Sequence, residues 1–383
     1  QHVVIKFFNE EIVIEPLKEE INQQKAKQKA YSIIPTAIEI FAGGGTLVRA
    51  LTDAGIKTVA AIELEDKYLE NLEANNPNVT TYCGDLAKLD ISLLPNADLV
   101  VAGIPCEGYS QAQTKSEKFE AHPTGSLGFY VLKIIDAIRP AVVLIEEVPN
   151  FKNSAMAAMT RYVLNSMGYQ ITETILKGNE WGSLTRRKRY CMVASIKKGF
   201  SFDETLMNQS LKKVGDILEI PIEQREWLTK DNSATIAYSL IKEQEHIRKG
   251  EGFRLERTSI NDTVVATVTK GYYKGRLTDP ILIHPENTNM FSWFTPRELA
   301  RINGLPEDFI LTNTKSTNGE IIGQGVCYEA FNAVGKMIIK HFNSIEFDEQ
   351  KEKLDLFKST LASVNNDDYS DEQLNCFMSG KLF

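Results

Sequence analysis

Cys106 stands directly after a proline in AGIPCEGYS, residues 102–110. A thiol on a loop that follows a strand can be exposed and reactive, and its thiolate is a strong nucleophile. Two other groups could work beside it. Glu146 and Glu147 open EEVPNF, residues 146–151, at the end of an apolar run, where carboxylates are costly to desolvate unless they have a task. Arg187 and Arg189 alternate in TRRKRY, residues 185–190, ahead of the apolar CMVAS. Alternate positions leading into a strand share a face, which suits gripping an anionic or carbonyl group. Plainer readings exist for each: a small buried thiol, a surface carboxylate, a solvated basic run.

A second constellation lies earlier in the chain. Phe41-Ala42-Gly43-Gly44-Gly45 ends an apolar run, and glycines there let a ligand approach the backbone closely. Glu63 follows Gly43 by 20 residues, the place for an acid that grips a ribose diol. Asp85, in Gly84-Asp85-Leu86, could accept a hydrogen bond from an adenine amino group. A dinucleotide fingerprint would need a third glycine where Val48 stands, so pyrophosphate binding is disfavoured. A tight turn with no ligand is the alternative, and the two acids weigh against it.

These residues need a scaffold that delivers them to one edge. Short apolar runs predict strands over Thr36–Phe41, Thr58–Leu64, Val79–Cys83, Ala97–Ala102 and Ala141–Ile145. Helices are expected between them at Leu47–Ala54, Lys67–Asn75 and Leu127–Ile138. Strands alternating with helices imply an α/β fold with a parallel sheet covered on both faces. After about Ser195 the alternation fades. β-like runs at Thr263–Val268 and Ile281–Ile283 are mixed with Gly, Lys and Tyr, a smaller irregular domain. Helices are expected at Thr295–Asn303, with Pro296 in its first turn, and at Tyr328–Phe342. Residues 15–30 read as a polar helix or linker, and the tail from Glu346 as charged and helical.

Composition narrows the class. The 383 residues suffice for one large domain and one smaller one, and no run of eighteen apolar residues predicts a membrane span. The first fourteen residues mix charges into their apolar stretch and do not read as a signal peptide. The five cysteines are scattered and include no CxxC pair, so neither a zinc site nor a disulfide framework is expected. The protein is expected inside the cell, cytoplasmic or nuclear, and not secreted. Net charge is −8, yet residues 177–301 hold 21 Lys and Arg against 16 Asp and Glu, a local +5 that permits a polyanionic partner at one face.

Taken in order, these segments resemble the DNA cytosine-5 methyltransferase family. EIFAGGG resembles its glycine-loop motif, GIPCEGYS its Pro-Cys motif, LIEEVPNF its Glu-Asn-Val motif, and RRKR its Gln-x-Arg-x-Arg motif. Glu63 and Gly84-Asp85 fit the second and third motifs. FTPRELARINGLPEDF and GQGVCYEAFNAV resemble the ninth and tenth. Eight weak matches in the right order are specific together. Thr46 for glycine, Glu147 for asparagine, Thr185 for glutamine and Gln324 for asparagine depart from the pattern and mark a divergent member.

The resemblance implies a Rossmann-like S-adenosylmethionine methyltransferase sheet with helices on both faces, plus a smaller target-recognition domain. The catalytic part would be residues 1–195, with an N-terminal extension over 1–35, completed by 315–383; recognition would fall to 196–314. Cys106 would add to carbon 6 of cytosine, Glu146 would contact the ring, and Arg187 and Arg189 would hold its carbonyl. S-adenosylmethionine would meet Phe41 to Thr46, Glu63, Leu64, Asp85, Leu86, Pro105, Gln324 and Val326. Ser110, Arg248, Lys249, Arg254, Arg257, Lys270, Lys274 and Arg276 are candidate DNA contacts, with Tyr272 and Tyr273 among them. The expected partner is double-stranded DNA, acted on by a monomer without a metal. A tRNA cytosine-5 methyltransferase of the same fold, a catalytically weak DNA-binding relative, and a nicotinamide-dependent oxidoreductase are the competing readings.

Overall fold

The computed structural model describes residues 3–8, 11–16, 34–105, 127–208, 212–312 and 314–343. The chain divides into two compact units, 1–339 and 340–383; in the second, 340–343 are described and are helical. Strands β1 (Val3–Phe8) and β2 (Glu11–Pro16) pair as an antiparallel hairpin whose last two residues, 15 and 16, open the stretch expected as a polar helix or linker. The remainder of that expected linker and the tail from Glu346 lie outside the described residues.

A seven-stranded sheet forms the centre of the first unit. Its strands are β3 (Thr36–Ile40), β4 (Lys57–Glu63), β5 (Thr80–Cys83), β6 (Leu99–Gly103), β7 (Val142–Glu147), β8 (Gln170–Lys177) and β9 (Lys188–Ser195). They lie in the order β5-β4-β3-β6-β7-β9-β8. The first five are mutually parallel, as the strand–helix alternation requires. The sheet is not wholly parallel, however. β9 runs antiparallel to both β7 and β8, because ten residues join β8 to β9 and leave no room for a crossover helix.

Helices α1 (Thr46–Asp53), α2 (Asp66–Asn75), α3 (Leu127–Ile138) and α4 (Ala155–Ser166) cover this sheet. Strand alternation decides which helix meets which residue. Ile38, Ile40, Ile62, Val100, Ala102, Val143 and Ile145 pack with Val131, Ile135 and Met156 from α3 and α4. Ala61, on the other face, packs with Val48, Leu69 and Leu72 from α1 and α2. Each fully buried aliphatic side chain of this kind contributes about 1.5–3 kcal/mol.

The chain leaves this pattern after β9. Helix α5 (Ala234–Arg248) is followed by β10 (Glu256–Thr258), β11 (Pro280–Ile283) and β12 (Phe291–Ser292), which form a small sheet. The run Thr263–Val268, which reads as a strand, is not one. It makes a single bridge, Val265 to Thr185, and sends Val265 and Val268 inward. Helix α6 (Pro296–Ile302) begins at Thr295 with a capping box closed by Glu298, as Pro296 led one to expect. Helix α7 (Lys315–Gln324) follows, and residues 328–343 form α8. A second hydrophobic cluster joins Val214, Ile217, Val268, Tyr272, Leu282 and Phe294 to α6, Leu184 and Ile322. Inside it Arg225 and Glu298 form a fully buried ion pair.

Candidate active site

The strand order fixes the site. From β3 the chain steps outward to β4 and β5, then returns to the other side of β3 to form β6. Loops after β3 and β6 therefore diverge, and ligands of open α/β sheets bind in the crevice so formed. The glycine loop follows β3, and Pro105 follows β6. The parallel partners place Glu63, Gly84-Asp85 and Glu146 at the ends of β4, β5 and β7 on the same edge. Because β9 is antiparallel to β7, it begins at that edge and brings Arg187 and Arg189 with it.

The glycine loop is tightly specified. Phe41 takes a positive φ of 62°, which is uncommon for a side-chain-bearing residue, and Gly45 takes 81°. A Cβ on Gly44 would stand 2.4 Å from Ile321 on α7. Glu63 accepts from Gly43 N at 2.7 Å through one oxygen, and from Leu64 N at 2.8 Å and Glu65 N at 3.0 Å through the other. The expected ribose acid thus also builds the loop, with lone-pair capacity remaining. Asp85 is exposed and accepts from Ala87 N at 2.9 Å. Leu64 is 60% exposed, while Leu86 is buried. Ala42 is buried, its N–H donating to Ile62 O.

The tenth segment closes over this loop from about 280 residues away. Val326 N donates to Thr46 Oγ1 at 3.4 Å, and Gln324 Nε2 lies 3.3 Å from where a Gly43 Cβ would be. Two of the departures from the family pattern, Thr46 and Gln324, therefore sit on one seam.

Glu146 is buried and lies 2.6 Å from Arg189 Nε. Burial pushes its carboxyl above the usual range, although the charges of Arg189 and Arg187 pull the other way. Arg189 also donates to Lys188 O at 2.8 Å. Arg187 is differently placed. It is almost fully buried and donates to Val268 O and Gly323 O, each at 3.0 Å, so it ties the return segments together beside Glu146. Thr185 is fully buried, its N–H donating to Ile302 O at 3.1 Å.

One acid here escaped sequence reasoning, and the second acid of the pair that it marked is deeply set. Glu39, in the middle of β3, is fully buried; desolvation and then Glu146 drive its carboxyl well up, offset by a hydrogen bond with the Val48 backbone in α1. A charge within the apolar TAIEI was its visible signal. Glu147 is buried, accepts from Val148 N, and is pushed well up by desolvation. Asn71, whose amide reaches Gly44 O at 2.9 Å, had no sequence signal at all.

Cys106 and Ser110 lie outside the described residues, as does Cys376. Among the described cysteines, Cys191 and Cys327 are buried, and burial raises both thiols, Cys327 to about 11. Cys83 is exposed. The candidate DNA contacts divide in two. Arg257 pairs with Glu243 at 2.8 Å, and Arg254 donates to Glu251 O and Phe253 O. Arg248 and Lys249 end α5, exposed, and Lys270, Lys274 and Arg276 are exposed along the strap that follows Val268. Lys270 Nζ lies 5.5 Å from the Tyr68 ring on α2, so the strap starts beside the glycine-loop region. Tyr272 is buried and Tyr273 half-buried.

The sheet with its edge site makes this a Rossmann-like methyltransferase fold. It is shared with the crystal structure of S. pombe Dnmt2 methyltransferase (TM-score 0.64, 19% identity, covering 81% of this chain and 99% of that one). It is shared also with the Entamoeba histolytica methyltransferase EhMeth (TM-score 0.65, 19% identity, 80% and 98%). The family model for C-5 cytosine-specific DNA methylase matches residues 36–340, and the chain belongs to that family; it is a DNA cytosine-5 methyltransferase. Relatives include the Type II methyltransferase M.DsaV of Dactylococcopsis salina, 27% identical over 331 residues, 83% of this chain and 90% of the relative. The Type II methyltransferase M.HpaII of Haemophilus parainfluenzae is 27% identical over 341 residues, 81% and 90%. Among the described residues no helix is long and apolar enough to cross a membrane.

Proposed function

We propose that this protein methylates carbon 5 of a cytosine turned out of double-stranded DNA, through a covalent adduct with Cys106, and that S-adenosylmethionine is the methyl donor. One observation carries the reading: the Glu146–Arg189 pair, the glycine loop and the residue preceding Cys106 all sit at the two strand ends that flank the switch point and at their neighbours.

The loop suits that donor. Gly45 precedes the first turn of α1 with no side-chain cap, so the helix N-terminus favours a carboxylate. Glu63 would take the ribose hydroxyls and Asp85 the adenine amine, with Leu64 and Leu86 along the base. Pro105, Gln324 and Val326 would line the methionine end. Bound there, S-adenosylmethionine supplies a methyl group on a sulfonium.

The chain's own residues do the rest. Carbon 5 of cytosine is a poor nucleophile. Addition of the Cys106 thiolate to carbon 6 breaks the ring's aromaticity and makes carbon 5 enamine-like. Glu146 contacts ring nitrogen 3 and the exocyclic amine; its raised proton affinity suits a group that shares a proton with the ring as charge shifts. Arg189 draws the Glu146 carboxyl back toward its charged form against desolvation and holds the ring carbonyl, and Arg187 supports the same field. Loss of the carbon 5 proton then expels the thiol. Stacking in the duplex hides carbon 6, so the base must leave the helix.

Residues 1–195 and 315–383 would form the catalytic lobe, and 196–314 the lobe that reads DNA, with Lys270, Lys274 and Arg276 on its exposed strap. The test is transfer of labelled methyl groups to duplex DNA and to tRNA. Label in DNA cytosines, abolished in Cys106→Ser, is the expected result. Label confined to tRNA would overturn the substrate, and full turnover by the serine variant would overturn the nucleophile.

A further inference from the structure

Helix α2 covers one face of the sheet, yet two of its polar side chains are spent on backbone far away in sequence. Asn71 is fully buried. Its Nδ2 donates to the Gly44 carbonyl at 2.9 Å, and its Oδ1 accepts from Thr312 N at 3.3 Å. One turn on, Asn75 Nδ2 donates to Ile310 O at 2.9 Å, and Ile310 N donates back to Asn75 Oδ1 at 2.8 Å. The two asparagines thus bind 310–312 as a neighbouring strand would, and Asn71 alone also reaches the glycine loop. The same segment leads into α7, whose Ile321 fills the space above Gly44 and whose Gln324 lies above Gly43.

Such a hold matters because of what it holds. A peptide between two glycines can rotate through conformations closed to other residues. Glu63 fixes the Gly43 end through its N–H, but nothing in that contact orients the Gly44 carbonyl. A buried carbonyl without a donor is costly, and a flipped peptide would redirect the N–H of Gly45, which here donates to Ala42 O at 3.0 Å. A neutral amide supplies a donor and an acceptor at once; aspartate or leucine at 71 cannot.

We propose that Asn71 is a positioning residue for the cofactor: it fixes the Gly44 peptide and links the loop's shape to the docking of residues 310–312. The proposal rests on the glycine loop being the S-adenosylmethionine site. Asn71→Asp keeps the acceptor for Thr312 and removes the donor to Gly44, while Asn75→Asp removes one donor to the same segment without touching the loop. Calorimetry with S-adenosylmethionine, steady-state kinetics and thermal unfolding are measured for both, with Asn71→Ser as a smaller substitution and Glu63→Ala as reference. Asn71→Asp and Asn71→Ser should weaken cofactor binding by about tenfold and raise the cofactor KM alike, with kcat at saturating cofactor within about twofold of native. Asn75→Asp should lower the unfolding temperature and leave affinity intact. Native affinity in both position-71 variants, or equal losses at 71 and 75, would overturn the proposal. If Glu63→Ala binds weakly while the position-71 variants bind normally, only the role of Asn71 falls; if Glu63→Ala also binds normally, the reading of the loop falls with it.

Discussion

Two hydrophobic clusters of the same unit are built in contrasting ways. Around the seven-stranded sheet, strands of four to eight residues stack in register, and side chains at their ends are delivered to one edge whatever the loops contain. In the cluster around Val214, Tyr272 and Phe294, strands are two to four residues long, and much of the packing comes from turns and from α6. The first cluster places chemistry by topology, so few residues need to be specified. The second places side chains by individual contacts, a buried ion pair among them.

The largest effect that would separate the two belongs to the sheet edge. Glu146→Gln keeps size and loses the charge beside Arg189. Methyl transfer should fall by at least about a hundredfold with cofactor affinity retained, measured by single-turnover kinetics and calorimetry. A loss confined to KM would move Glu146 out of the chemistry. In the second cluster the matching experiment concerns stability. Arg225→Met strands the buried Glu298 carboxylate, which also caps α6 and accepts from Glu219 N. The expected cost is about 3–5 kcal/mol by urea denaturation; a cost under about 1 kcal/mol would show that the cluster does not depend on the pair.

A smaller effect tests the strap. Asp279 is buried and accepts from Thr269 N and Thr269 Oγ1, and desolvation pushes its carboxyl up to about 6. The folded protein therefore holds this proton more tightly than the unfolded chain. Stability should decline as pH rises from about 4 to about 6 and stay level above. Asp279→Asn should flatten that decline relative to native; an unchanged profile would assign it to other groups. The smallest effect is expected at the surface. Lys274→Ala with Arg276→Ala should reduce the salt dependence of DNA binding by about two, one per phosphate contact, with cofactor affinity unchanged. An unaltered slope would make the strap a solvated face.

The same contrast explains what could be read from the sequence. The runs TAIEI and VVLI name buried parallel strands because their length and flanks leave no other reading, and Pro105, Glu63 and Glu146 follow as strand-end residues. Edge strand β8 is half polar and only partly buried, so it gives no such signal. Thr263–Val268 has strand-like composition, yet its inward residues serve a core built from loops. The paired arginines illustrate the limit within the site. Their alternation suggests one shared face, but the carbonyls of Val268 and Gly323 that hold Arg187 come from 81 and 136 positions away. Likewise, Thr46 and Gln324 look like two unrelated departures until the fold brings their segments together.

The central claim is that Cys106 adds to the cytosine ring, and the direct measurement is covalent trapping. Duplex DNA carrying 5-fluorocytosine in the target site is incubated with the protein and S-adenosylmethionine, and the cross-linked peptide is mapped by mass spectrometry. Fluorine cannot leave as the carbon 5 proton does, so the adduct should accumulate on Cys106 and be absent in Cys106→Ser. An adduct on Cys83 or another cysteine, or full methyl transfer to unmodified DNA with no adduct on the fluorinated duplex, would contradict it.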